Sequence, residues 1–351
     1  MSACASKKTR EPALPPGVAV DLDETPEYFT RNLRPQDQKM RSWRELEPSI
    51  KKSLRYVQSK PKSAKAIARP GLTMTWGEME KTLLRLQELL PKLDQNPNLF
   101  TSNFEWIPIT DGIMYSGYYS PVVKASLTPK KGYTHPIYRR PPELKNGTKY
   151  FTRRQIEGEK KLANRGLELA WAEDPVDVFF LEIQGSGCLL LDDGRKVCIN
   201  YDGKNGHRYK SSGKIMGEKG LLKRGDIFEQ RKWFKEHPDR VTEIFYDNPS
   251  FVFFKLGGNG PTGAMGYIVD DWKTLATDRS FIPLGSIVAY GVNIPDPKWG
   301  NMGLRGIGFA QDVGGAIKKN RIDIYCGSDF RANFVASFLD ADGPAWVLKA
   351  K

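Results

Sequence analysis

Two aspartates near the C-terminus carry the chemistry this chain can do. They lie in Gly308-Phe-Ala-Gln-Asp312-Val-Gly-Gly-Ala-Ile-Lys-Lys-Asn-Arg-Ile-Asp323-Ile-Tyr-Cys-Gly327, on either side of a glycine turn. Each is set among residues suited to a strand: Ile307 and Phe309 before Asp312, Ile322, Ile324 and Tyr325 around Asp323. Carboxyl groups at the ends of partly buried strands hold their protons to higher pH, which suits them to proton transfer. Three histidines and four cysteines without a C-x-x-C pair make a zinc site an unpromising reading, and no cofactor motif is present.

The rest of the chain must position those carboxyls. Its 351 residues allow one large domain or two ordinary ones, and abundant Pro and Gly favour a turn-rich, mainly β fold. No run of about twenty apolar residues is present to span a membrane. The net charge of +13 points to an acidic partner. An acidic polysaccharide, an anionic lipid surface and nucleic acid are the three readings; scattered basic residues, with no arginine-rich helix and no aromatic RNA-binding strand, disfavour the last.

Residues 5 to about 35 are polar and Pro-rich and read as a tether or loosely packed arm. Met40, Trp43, Leu46, Ile50, Leu54 and Val57 mark two helices split by Pro48. Thr75-Trp-Gly-Glu78 has the form of a capping box for a helix whose face is Met79, Leu83, Leu86 and Leu90, ending before Pro91. Residues 104–123 alternate like strands, and 124–150 read as a basic loop broken by prolines. Asp174-Pro175 opens a helix that stops at Gln184-Gly-Ser-Gly187. Helices are expected near 210–219 and 226–247, and a buried strand at 248–254.

Cys188 and Cys198 flank an apparent hairpin with the loop Asp192-Asp193-Gly194, which sets them face to face. A cross-strand disulfide and two packed free thiols are both open readings. Met-Ser-Ala-Cys4 looks like the end of a bacterial lipobox without the charged and apolar regions that precede one; a chance Ser-Ala-Cys is the alternative. Tyr118 and Tyr119 suit sugar stacking or core packing. Gln184, Ser186, Lys204 and Asn205 sit in glycine loops and suit hydrogen bonds to a glycan or loop capping; His207 reads as structural.

Several words of the sequence, taken together, resemble the MltA type of membrane-bound lytic murein transglycosylase. They are Ser116-Gly-Tyr-Tyr-Ser-Pro121, Phe180-Leu-Glu-Ile-Gln-Gly-Ser-Gly187, Tyr201-Asp-Gly-Lys-Asn-Gly-His207, Asn248-Pro-Ser-Phe-Val-Phe-Phe254, Asp278-Arg-Ser-Phe-Ile-Pro-Leu-Gly285 and Ala310-Gln-Asp-Val-Gly-Gly-Ala-Ile-Lys318 with Asp323. The resemblance implies a double-psi β-barrel domain assembled from both sides of an inserted smaller β-rich domain, with glycan in the groove between them. It divides the chain into a lipoprotein tether (1–35), a first barrel part with helices (36–121), the insert (122–255) and a second barrel part (256–351).

The activity implied is non-hydrolytic cleavage of the β-1,4 bond between N-acetylmuramic acid and N-acetylglucosamine, leaving 1,6-anhydromuramic acid ends. Asp323 takes the position of the single catalytic acid/base, with Asp312 and Asp278 in support. Ser116, where relatives often carry Thr, becomes a glycan contact alongside Tyr118, Tyr119, Gln184, Ser186, Lys204 and Asn205. Cys4 becomes a lipid anchor to the periplasmic face of the outer membrane, and peptidoglycan strands and cell-wall protein complexes become the partners. Departures lie after Gly327, where the family's Glu-Ala-Gly run is missing, and at Cys326, which has no assigned role. A glycan-binding scaffold without catalysis and a two-carboxylate glycoside hydrolase are the rival functions.

Overall fold

The computed structural model describes residues 17–109, 112–145, 147–223, 225–258 and 260–351; Cys4 lies outside them. The described chain is mainly β, with helices packed around the sheets. In chain order, β1 (Lys65–Arg69) and β2 (Leu72–Thr75) form a small hairpin. β3 (Phe104–Pro108) and β4 (Ile113–Tyr118) enter an eight-stranded sheet. A six-stranded sheet follows: β5 (Val122–Ser126), β6 (His135–Tyr138), β7 (Glu168–Ala172), β8 (Ser186–Leu191), β9 (Lys196–Lys204) and β10 (Val252–Leu256). The chain then returns to the first sheet with β11 (Thr274–Ala276), β12 (Ile287–Asp296), β13 (Gly300–Asp312), β14 (Arg321–Tyr325), β15 (Asp340–Gly343) and β16 (Ala345–Ala350).

The eight-stranded order is β15-β4-β14-β11-β13-β12-β16-β3. Two of its pairings are parallel, β4 with β14 and β11 with β13. The first brings a late strand against a strand from before the six-stranded sheet. The sheet curls strongly: the Gly291 N–H on β12 donates to the Pro344 carbonyl between β15 and β16 at 3.0 Å. A Cβ on Gly343 would sit 1.9 Å from the Gly291 carbonyl oxygen, so only glycine permits the approach. Curling covers edges that would otherwise present unpaired backbone groups.

One apolar core joins this sheet to the preceding helices, uniting Ile50, Leu54, Leu83, Leu86 and Leu90 with Val288, Ile307 and Val347. The helix Trp76–Leu93 begins with the expected capping box: Thr75 Oγ1 accepts from the Glu78 N–H at 3.2 Å, and the Glu78 carboxylate accepts from the Thr75 N–H at 2.8 Å. It runs on through Pro91, because a proline in the last turn removes one hydrogen bond while Leu89, Leu90 and Leu93 stay buried. Pro48 lies in the first turn of the helix Glu47–Gln58, behind a short 3-10 turn at Trp43–Leu46.

Residues 17–33 are packed, against the expectation of a loose arm. Val20, Phe29 and Leu33 are buried, and Pro26–Arg31 is helical. The cause lies far along the chain. Buried Arg305 on β13 pairs with Glu24 and donates to the carbonyls of Val18 at 2.7 Å and Ala19 at 2.8 Å. The proline-rich stretch 124–150 contains β5 and β6 rather than loop alone. Pro136 is tolerated because β6 is the edge strand of its sheet. The helical region 212–245 is three helices, Ser212–Glu218, Ile227–Glu236 and Val241–Phe245, interrupted at Pro238. The buried strand expected at 248–254 begins later, at Val252.

β8 and β9 pair with Cys188 opposite Cys198, and the two are disulfide-bonded. Gly194 closes the turn at φ 85°, the left-handed position that glycine takes without strain. Phe228, on the helix Ile227–Glu236, stacks on Phe338 of the helix Phe330–Phe338 with ring centroids 5.3 Å apart. That contact ties the six-stranded part of the molecule to the eight-stranded part.

Candidate active site

Asp323 is the middle residue of β14, between parallel β4 and antiparallel β11. Its neighbours Ile322 and Ile324 are fully buried. Alternation along a strand therefore turns Arg321, Asp323 and Tyr325 to the opposite face. Register sets Ser116 of β4 beside Asp323, and the Ser116 hydroxyl donates to Asp323 Oδ1 at 2.8 Å. Arg321 Nε in turn donates to Ser116 Oγ at 3.2 Å. Burial pushes the Asp323 carboxyl up to about 6 from 3.8, opposed by the Ser116 hydrogen bond and the Arg321 charge and reinforced by Asp312.

Asp312 ends β13. Ala276 of β11 faces Asp312 on one side and Asp323 on the other, so the two carboxyls stand two strands apart. That is roughly 10 Å between backbones. Asp312 Oδ2 accepts from the Tyr118 hydroxyl at 2.8 Å, and Oδ1 accepts from the N–H groups of Ala264 at 2.9 Å and Val313 at 2.8 Å. Burial raises its pKa, and those three donors work against the rise. Tyr118 spans the gap between the carboxyls, with its ring centroid 5.1 Å from that of Tyr325.

Asp278 has a different environment. Its Oδ1 accepts from the Ser280 N–H at 3.0 Å and hydroxyl at 2.7 Å, and its Oδ2 from the Lys319 N–H at 3.0 Å. The Lys319 and Ser280 bonds hold its pKa down to about 2. Asp278 is thus an ionised brace between the loop after β11 and the loop that leads into β14, where Lys319 takes a left-handed φ of 52°.

Comparison with known proteins gives the family. The sequence matches the MltA-specific insert domain over residues 114–255 and the 3D domain over residues 273–349. Membrane-bound lytic murein transglycosylase A of Escherichia coli (strain K12) is 36% identical over 245 residues, 68% of this chain and 66% of that protein. The chain belongs to the MltA family. A Vibrio cholerae relative of the same name is 33% identical over 243 residues, 67% of this chain and 65% of its own length. The matched segments thus span just under two thirds of these relatives. Among solved structures, E. coli MltA with bound chitohexaose superposes with a TM-score of 0.72 at 28% identity, covering 87% of this chain and 90% of that one. An Agrobacterium tumefaciens membrane-bound lytic murein transglycosylase gives 0.71 at 26% identity, covering 88% and 92%.

Of the residues singled out in the sequence, Asp323 and Ser116 meet at the β4–β14 pair, and Tyr118 of β4 reaches Asp312 at the end of β13. Asp278 is braced away from Asp323 and makes no hydrogen bond to it. Tyr119 is only 4% exposed, which removes its ring from sugar stacking. Asn205 is fully buried and its amide is fully used: Nδ2 donates to the carbonyls of Phe151 and Pro249, and Oδ1 accepts from the Phe251 N–H. It is a loop anchor with nothing left for a ligand. Gln184 is half-buried and accepts from the Tyr119 N–H at 3.3 Å; Ser186 is half-buried at the start of β8, and Lys204 is exposed at the end of β9. His207 Nε2 lies 2.8 Å from the Tyr150 carbonyl oxygen, a structural bond. Cys326 is buried, donates to the Ile324 carbonyl at 3.3 Å and packs against Gly117, and burial pushes its thiol up; it is core, not a nucleophile.

Arg321 escaped notice in the sequence. The available signal was its spacing, two residues before Asp323 in a strand and hence on the same face. Ser116→Ala removes a bond that favours the ionised carboxyl, so the Asp323 pKa rises. The alkaline limb of the pH–activity profile should move up by about one pH unit, and Ser116→Thr, which keeps the hydroxyl, should restore it.

Proposed function

We propose that this protein is a lytic transglycosylase that cleaves the muramic acid–glucosamine bond of peptidoglycan with Asp323 as its only acid/base. The observation that carries the reading is a carboxyl with a pKa of about 6, oriented through one oxygen by Ser116. Such a group is protonated in a useful fraction near neutral pH and can protonate the glycosidic oxygen. The C1–O bond to the leaving glucosamine breaks as that proton arrives. The muramic acid 6-hydroxyl then bonds to C1, giving its proton to the Asp323 carboxylate, and the 1,6-anhydro ring closes without water. A hydroxyl held by its own ring takes the part that a second carboxylate and water play in hydrolases.

Asp312 favours this reading over a hydrolase, since its oxygens are engaged by Tyr118, Ala264 and Val313 rather than free for water. The basic net charge of +13 suits a polymer that carries carboxylates. The bound chitohexaose of the E. coli relative supports a glycan-binding groove. The six-stranded sheet would form one wall of that groove, with Ser186, Gln184 and Lys204 as contacts. The relatives' membrane-bound names support a lipid anchor at Cys4 on the periplasmic face of the outer membrane. The Cys188–Cys198 disulfide fits an oxidising compartment.

Digestion of purified murein sacculi tests the proposal. Mass spectrometry should find soluble fragments one water lighter than hydrolytic products. Reducing-end products would show a hydrolase, and no fragments a binding scaffold. Activity also has a definite pH dependence. The acid must hold its proton, so kcat/KM should fall about tenfold per pH unit above about 6.

A further inference from the structure

Arg321 and Asp323 share one face of β14, and the Ser116 hydroxyl of β4 stands between their side chains. Chemistry fixes the order of donors along these three groups. A guanidinium has donors and no acceptor, and a serine hydroxyl has one proton. Arg321 Nε therefore donates to Ser116 Oγ at 3.2 Å, and the Ser116 proton goes to Asp323 Oδ1 at 2.8 Å. The positive charge reinforces that sense, since it draws the hydroxyl oxygen toward itself and turns the O–H bond toward the carboxyl. An Asp323 proton on Oδ1 would meet the Ser116 proton head-on. Among the described residues none donates to Asp323 Oδ2, so Oδ2 is the oxygen open to carry the proton.

The other groups around Asp323 do not set this order. Tyr118 on β4 gives its one proton to Asp312 Oδ2 at 2.8 Å, and Tyr325 on β14 gives its own to Ser120 Oγ at 3.1 Å. Cys326 donates to the Ile324 carbonyl. Asp312 at the end of β13 and Asp340, the β15 residue opposite Ser116, are carboxyls like Asp323 itself. We propose that Arg321 is a positioning residue of the reaction, which acts through Ser116 to keep the Asp323 proton on Oδ2 for delivery to the glycosidic oxygen. The inference rests on the function proposed above and adds to it a residue that works without bonding to the carboxyl. Without Arg321 the Ser116 hydroxyl is free to turn and accept from an Oδ1–H. The proton then sits in a bond to Ser116, away from substrate, and that bond stabilises the protonated acid. Two effects follow. The acid delivers its proton less readily, and its pKa rises by more than the lost charge alone would raise it.

A cycle of four full-length proteins tests it: wild type, Arg321→Met, Ser116→Ala and the double variant. The Asp323 carboxyl is titrated by carbon NMR on aspartate-labelled protein, its signal assigned by its absence in Asp323→Asn. Loss of the charge raises the midpoint in both backgrounds. Action through Ser116 makes the rise larger where the serine is present, by about half a pH unit. Equal rises in the two backgrounds would show that Arg321 acts by charge alone and would overturn the proposal. The titration needs no turnover, so its outcome stands even if no anhydro product forms and the catalytic reading fails. Where turnover is seen, kcat on the acid side of the profile should fall about tenfold in Arg321→Met with KM unchanged. The same change made on Ser116→Ala should lower it no further. A raised KM with an unshifted titration would make Arg321 a substrate contact, against the proposal. Arg321→Lys keeps the charge and a donor and should restore most of the loss; a lysine variant as impaired as the methionine one would reduce Arg321 to packing. Arg321→Gln, whose amide oxygen can take the Ser116 proton, should behave as Arg321→Met does and replaces it in the cycle where that variant does not fold.

Discussion

Asp323→Asn should abolish cleavage and make the protein more stable at neutral pH. The amide keeps the size of the carboxyl and an oxygen for the Ser116 hydroxyl but has no proton to give. Loss of a general acid lowers rates by about 10²–10⁴, and here the same group also serves as base, so the upper end is expected. The stability effect follows from linkage. The folded-state pKa, about 6, stands above the ordinary 3.8. The folded chain therefore holds this proton more tightly than the unfolded one. That contribution is complete below about pH 4 and is lost as pH rises through 6, after which the buried carboxylate burdens the fold. At about 1.4 kcal/mol per pH unit the burden is on the order of 3 kcal/mol, and a neutral amide lifts it. Urea unfolding at pH 7.5 should favour the variant by about 2–3 kcal/mol, and at pH 4 the two proteins should coincide. Equal stability at both pH values would show that burial does not hold the proton on Asp323, and the acid role would lose its physical basis.

The same alternation that makes Asp323 costly made it readable. Ile322 and Ile324 announce a buried face, and period two puts Asp323 on the other. Asp312 followed from the apolar run before it, and the face-to-face register of Cys188 and Cys198 from the spacing around Asp192-Asp193-Gly194, which left the bond between them open. Burial set by distant partners could not be read. Tyr119 and Asn205 sit in words rich in Gly, Ser and Asn, which look like exposed loop, but Asn205 is anchored by Pro249 and Phe251, more than forty residues on. The distinction between Asp278 and Asp323 was hidden for the same reason. One is held ionised by backbone donors from the loop at Lys319 and the other keeps its proton to higher pH through burial, and both environments come from tertiary contacts. Arg321 was within reach of the period-two rule and was passed over because attention went to carboxylates.

The N-terminal segment shows how much a single distant side chain can decide, and Arg305→Met should expose it. Composition alone makes residues 17–33 a polar arm. Arg305 converts them into part of the body by meeting Glu24 with Nε and Nη2, the Val18 carbonyl with Nη1 and the Ala19 carbonyl with Nη2 as well. Arg305 and Glu24 are both about 2% exposed in their side chains. Methionine in place of Arg305 fills similar space but leaves Glu24 as a buried charge without a counterion and two carbonyls without donors. Breaking a buried pair from one side costs about 3–5 kcal/mol. Adding Glu24→Gln should recover much of that loss, since the stranded charge rather than the lost attraction dominates the cost. The cheapest escape for the single variant is to release the segment, letting Glu24 reach water at the expense of uncovering Phe29 and Leu33. Limited proteolysis should then cut within residues 17–33 in Arg305→Met and spare both the wild type and the double variant. Urea unfolding should rank the three in the same order. If the single variant were as stable as the wild type and equally resistant, the ion pair would not be what holds the segment, and the Asn293 bonds to both backbone groups of Val20, the Gly303 N–H bond to the Gly17 carbonyl and the packing of Phe29 on Trp106 and Trp346 would have to do so.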